Sequence, residues 1–174
     1  MQKEHELNPD ILALPETTVA IVHKQAEECL AGTVMLATAA DSRATTLTGI
    51  FGGAAVALLA AGATVLVAPE HKSYLPMLAA AVTGALFLFI AAILCAYACR
   101  PIDFYVSGYE PRLLSKSATD LTWMLRYATN DIQVRIDANR KSLAASAQQV
   151  NLAIWLALFS VLASIAAFFT AKTF

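Results

Sequence analysis

Three stretches of the chain carry no charged residue: Ala44–Pro69, Ser73–Cys99 and Ser142–Ala171. Crossing the hydrocarbon core of a bilayer takes roughly 20 consecutive apolar residues in a helix. Each stretch is long enough, so the pattern predicts three membrane-spanning helices. The first two are joined only by the short "APEHKSYLP" turn, which predicts a tight hairpin. Outside these stretches the pattern changes to the helical periodicity of an amphipathic segment. Leu121, Leu125, Ala128, Ile132, Ile136 and Leu143 recur three, four or seven residues apart and form one stripe, in which Asn139 also falls. Val19, Val22, Ala26, Cys29, Leu30 and Thr33 form the stripe expected to face it.

Proline and glycine positions set the lengths of the predicted helices. Pro15 and Glu16 suit a first helical turn, and no proline follows until Pro69. One helix can therefore run from the polar N-terminal part through the first span, about 75 Å at ~1.5 Å per residue. Arg100-Pro101 should end the second span, and "DFYVSGYEPR", with Gly108 and Pro111, reads as an ordered turn. Ser117 and Asp120 have capping-box spacing and open a stretch without Gly or Pro that reaches Phe174. The expected fold is all-α: an integral membrane protein with three transmembrane helices, the first and third extended into the cytoplasm as a helical bundle. The expected divisions are a cytoplasmic N-terminal helix (1–43), a transmembrane hairpin (44–99), a cytoplasmic turn and helix (100–141) and a third span (142–174).

Composition agrees with this class. The chain is 58% hydrophobic and 14% charged, against roughly a quarter charged for a soluble domain. A cleavable signal peptide is not expected, because "MQKEHELNPD" is polar and "ILAL" is too short for an h-region. Basic residues orient the spans. Lys3, Lys24 and Arg43 precede the first span, and seven more lie between the second and third, whereas only Lys72 and Lys172 fall on the other side. This asymmetry places the N-terminus in the cytoplasm and the C-terminus in the periplasm of a bacterial inner membrane. A reporter fused after Phe174 should therefore be active only if it is a periplasmic enzyme; activity of a cytoplasmic reporter there would contradict the orientation. Residues 1–43 carry seven acidic and three basic groups, and residues 100–141 five acidic and seven basic, so the two segments can dock by charge.

Little of the sequence points to catalysis. Cys29, Cys95 and Cys99 have neither disulfide-framework nor zinc spacing, and Cys95 and Cys99 read as small apolar residues one helical turn apart. His5, His23 and His71 are scattered, and no HExxH or GxSxG motif occurs. "GIFGG" lacks the Lys-Ser/Thr that follows a phosphate loop. Asp131 and Arg135, and Asp137 and Lys141, have the acid-before-base spacing of helical ion pairs. No enzyme activity and no cofactor are expected.

The remaining candidates suit binding, each beside a plainer role. Trp123, Arg126, Asn130, Gln133 and Arg140 project to one side of their helix and offer an indole and guanidiniums for a base and a phosphate; equally, they can form an ordinary solvated face. Tyr109 and Arg112, with Tyr105, can bind a ligand or anchor the turn at lipid headgroups. Asn139 either fixes helix register or bonds a ligand between helices, because an unpaired amide in an apolar stripe is costly. Gly49 and Gly53 have the small-xxx-small spacing that lets helices approach closely, either within one subunit or in a homo-oligomer.

Asp41-Ser42-Arg43-Ala44, directly before a Gly-containing first span, resembles the Ala-Asp-x-Lys/Arg-Ala element of the small membrane effectors of Pycsar antiphage systems. Arg135-Ile136-Asp137-Ala138-Asn139, before the last span, is similar to their second polar element. The two-span membrane effectors of cyclic-oligonucleotide defence systems share the general plan. The resemblance implies an effector that damages the inner membrane when a cyclic pyrimidine mononucleotide accumulates, with the lipid bilayer as partner and no nucleic acid bound. The chain departs from the better-understood effectors in having no separate cyclic-nucleotide-binding β-domain, so a ligand would have to engage its helices. Asp41 and Arg43 can then join Asn139 and Arg140 as a switch beneath the bilayer. Alternatively, Arg43 reaches lipid phosphates and Asp41 pairs with Arg140 or Lys141. A holin-like or scaffolding membrane protein that senses no ligand, and an accessory subunit of a transporter, remain open alternatives.

Overall fold

The computed structural model describes residues 8–67, 74–99, 104–106 and 121–173, and among these it contains helices and no strand. In chain order the helices are α1 (Pro9–Leu12), α2 (Glu16–Val67), α3 (Leu75–Ala98) and α4 (Leu121–Thr173). The capping box at Ser117 and Asp120, Pro101, and most of the "DFYVSGYEPR" turn lie outside the described residues.

The short α1 was not expected, although its signal is local. Asn8 caps it, its side chain accepting the Asp10 amide, and Pro9 follows with φ preset for a helix. Pro15 lies just before α2, and its carbonyl accepts the amides of Thr18 and Val19. α2 then runs for 52 residues and α4 for 53 without a break. Threonines within α2 are accommodated where their hydroxyls bond the backbone of the same helix. Thr45, Thr46 and Thr48 donate to the carbonyls of Asp41, Ser42 and Ala44. In α4, Ser160, Ser164 and Thr170 do the same, so these hydroxyls are satisfied within their own helix.

α2, α3 and α4 are each long and apolar enough to cross a membrane. Their most apolar windows are only 11%, 28% and 11% buried inside the chain. Side chains such as Ile50, Val56, Leu59, Phe89, Trp155 and Leu162 are largely exposed. An apolar surface of this extent is untenable in water and fits contact with a lipid bilayer.

The chain divides into two compact units. The first contains Met1–Thr38 and Ile102–Leu143, the second Ala39–Pro101 and Ala144–Phe174. In the first unit the two expected stripes meet. Leu30, Ile132 and Ile136 form its buried cluster with Ala26 against them, and Val19, Thr33 and Ala128 are also buried. Leu121 and Cys29, expected in the same stripes, are exposed instead. In the second unit, Ala91 and Cys95 of α3 and Ala153 of α4 are buried among Leu47, Phe51, Leu94 and Leu156. The rings of Phe87 and Phe159 meet edge to face at 5.9 Å.

The glycines that allow this packing are not the pair that the sequence picked out. A methyl group added at Gly84 would lie 2.5 Å from the Ser164 hydroxyl and 3.2 Å from Leu58, and one at Gly62 would touch Leu78 and Ala81. Nothing approaches within 4 Å of a methyl group added at Gly49, Gly52 or Gly53. Packing within the chain therefore does not explain Gly49 and Gly53 among the described residues.

Candidate functional site

In the first unit the polar centre is Asn139 on α4, 1% exposed. Its amide Nδ2 donates to the Thr33 hydroxyl of α2 and to the Tyr105 carbonyl, both at 3.0 Å. Its Oδ1 accepts the Tyr105 amide at 3.1 Å. Thr33 passes its own proton to the Leu30 carbonyl at 2.7 Å. One side chain thus joins α2, α4 and the 104–106 segment, and both of its donor hydrogens are used. Full pairing is what makes an amide tolerable among Ile132, Ile136 and Leu30. The amide is thus paired within the unit without a ligand. Asp41 and Arg43 belong to the second unit, and the three hydrogen bonds of Asn139 go elsewhere.

The side of α4 opposite the stripe is not an empty binding face. Asn130 is buried, and its Oδ1 accepts the Asn8 amide at 3.1 Å. The Arg126 Nη2 donates to the Leu14 carbonyl at 2.7 Å, while its buried Nε has no hydrogen-bond partner among the described residues. Gln133 bonds Asp137 at 3.1 Å. The projected grouping with Trp123 and Arg140 is therefore corrected. Residues 8–14 cover α4 from a second side, and a helical projection sees only one partner at a time. Trp123 and Tyr127 are half-exposed and stack with centroids 5.6 Å apart. Arg140 is exposed, with a long contact of 3.9 Å to the Cys29 sulfur.

Other charges find close partners. Asp131 and Arg135 pair at 2.8 Å as the spacing predicts, and Arg135 also lies over the Tyr105 ring and reaches the Val106 carbonyl. Asp137, expected to pair with Lys141, accepts from Gln133 instead; no ion pair joins it to Lys141 among the described residues. His23 Nδ1 lies 3.2 Å from the Thr129 hydroxyl. That hydroxyl also donates to the Leu125 carbonyl, an arrangement that suits the tautomer with a hydrogen on Nδ1. Tyr109 and Arg112 lie outside the described residues.

In the second unit, Asp41 and Arg43 are among the residues that line an open groove of about 250 Å³. Alanines of α2, α3 and α4 (Ala44, Ala98 and Ala147) line it with Val150 and Ile154, while Ser146 and Asn151 add polar groups. Asp41 and Arg43 are both exposed. They do not pair with each other, because residues two apart on a helix do not face each other. Nor does either side chain form an ion pair within its own unit among the described residues. The backbone carbonyl of Asp41 accepts a weak bond from the Cys99 thiol at 3.7 Å. No signal in the sequence singled out this groove, since its walls are alanines from three separate helices.

Comparison with known protein families, curated proteins and solved structures finds no match to the chain.

Proposed function

We propose that the chain is a membrane effector of bacterial antiphage defence, which permeabilises the inner membrane as a homo-oligomer when a cyclic pyrimidine mononucleotide engages its cytoplasmic helices. The observation that carries this reading is the continuity of α2 and α4. Each is one hydrogen-bonded helix that begins among the polar residues of the first unit and ends in an apolar segment of the second. A ligand that alters the pairing of α2 with α4 at Asn139 would act on the same two helices that enter the membrane. The resemblance around Asp41–Ala44 and Arg135–Asn139 supplies the ligand class. Trp123, Tyr127 and Arg140, each exposed, are the aromatic and basic groups that would meet it. With so little of each apolar window covered within one chain, Gly49 and Gly53 are assigned to contact between subunits.

The test is equilibrium binding of cyclic CMP and cyclic UMP to the purified full chain, with cyclic AMP as control. Saturable binding of a pyrimidine nucleotide supports the reading. Absence of binding by either would remove direct sensing and favour a scaffolding or holin-like protein. One observation already leans that way: Arg126 and Asn130, two of the polar groups suited to a ligand, hold residues 8–14 instead.

A further inference from the structure

Four polar side chains border the groove of the second unit without a hydrogen bond or ion pair from their own polar ends among the described residues: Asp41, Arg43, Ser146 and Asn151. They stand where the chain changes from charged to charge-free, since Arg43 is the last charge before one apolar run and Lys141 the last before another. Exposed at such a boundary, a carboxylate, a guanidinium and an amide are available to pair with polar groups of the lipid headgroup region. The groove's lining includes both signs of charge together with apolar side chains. We infer that it binds a zwitterionic phospholipid with a primary-ammonium headgroup. Arg43 would take the phosphate, Asp41 the ammonium, and Asn151 and Ser146 the ester oxygens, with the first methylenes of an acyl chain against Val150 and Ile154.

Size favours a lipid over a wholly enclosed ligand. At about 250 Å³ the groove falls below the roughly 300–1,000 Å³ of pockets that bury a whole drug-sized molecule. A lipid needs only its headgroup region held, because the bilayer accommodates the remainder. Arginine suits the phosphate because its fork bonds two oxygens at once. The carboxylate two residues away supplies the discrimination: it attracts an ammonium and disfavours an anionic headgroup. The inference concerns the second unit alone and does not depend on a nucleotide binding to the first.

Native mass spectrometry of the purified full chain in detergent tests it, with phosphatidylethanolamine, phosphatidylcholine and phosphatidylglycerol offered at equal concentration. The wild type should retain phosphatidylethanolamine preferentially, and inorganic phosphate should not displace it. Arg43→Gln removes a charge-assisted bond, so retention should fall about tenfold or more. Asp41→Asn should keep phospholipid binding but lose the preference for ethanolamine over choline. Ala147→Phe, which fills the groove, should abolish retention while circular dichroism shows unchanged helix content. Equal retention of all three lipids by the wild type would overturn the inference, as would wild-type retention in Arg43→Gln. Displacement by phosphate alone would show an anion site in place of a lipid site and equally overturn it.

Discussion

Asn139→Ala is expected to free the 104–106 segment and loosen α2 from α4 while the protein still reaches the membrane. The substitution removes three hydrogen bonds, to Thr33 and to both backbone groups of Tyr105. Thr33 keeps its bond to Leu30, and the exposed Tyr105 can exchange some of its backbone bonds for water, so the full cost of three orphaned groups is not incurred. The net loss should be about 2–3 kcal/mol, counting roughly 1 kcal/mol per bond. That is enough to shift a balanced equilibrium by more than about tenfold. Hydrogen exchange at residues 104–106 should accelerate accordingly. Arg135→Ala is the control, because its ion pair with Asp131 is partly exposed and such helical pairs contribute about 0.3–0.5 kcal/mol. Equal exchange in the two variants would show that Asn139 does not hold the segment.

Gly84→Leu should disrupt the second unit. Even the first carbon of a new side chain would meet Ser164 at 2.5 Å and Leu58 at 3.2 Å. Ser164 can turn aside, but a full leucine has no space between α3 and α4. Overpacking of this kind typically costs about 1–3 kcal/mol or more. Thermal unfolding in detergent should occur several degrees lower. Gly49→Leu and Gly53→Leu should leave that unfolding unchanged, because an added carbon there meets nothing. On the proposed assignment they should instead weaken crosslinking between subunits. Unchanged crosslinking in both variants would remove those glycines from any subunit interface.

The contrast between these glycines shows what was legible in the sequence. Long charge-free runs identify helices suited to a membrane because no alternative fold satisfies so many apolar residues and backbone groups at once. They do not reveal which helix face meets a neighbour, since lipid and neighbouring helix are both apolar. Gly49 and Gly53 therefore look no different from Gly62 and Gly84. In the first unit the periodic stripe located Leu30, Ile132, Ile136 and Asn139 correctly, because a buried core on one helix face and polar residues on the other impose a helical period. It failed for Asn130 and Arg126, which are covered by the short segment at Asn8–Leu14. A brief helix held by long-range bonds leaves no period of its own. The groove beside Asp41 and Arg43 was invisible for a related reason: a cavity is made by what three helices leave empty.

The most direct measurement of the proposed function is membrane potential in living cells that express the chain, followed as cyclic CMP or cyclic UMP is supplied by a cyclase. Cells with the wild-type chain should depolarise within minutes of nucleotide appearance and not before, and cells with Asn139→Ala at equal membrane abundance should retain their potential. Unchanged potential in wild-type cells at saturating nucleotide, or equal depolarisation with and without it, would contradict the account.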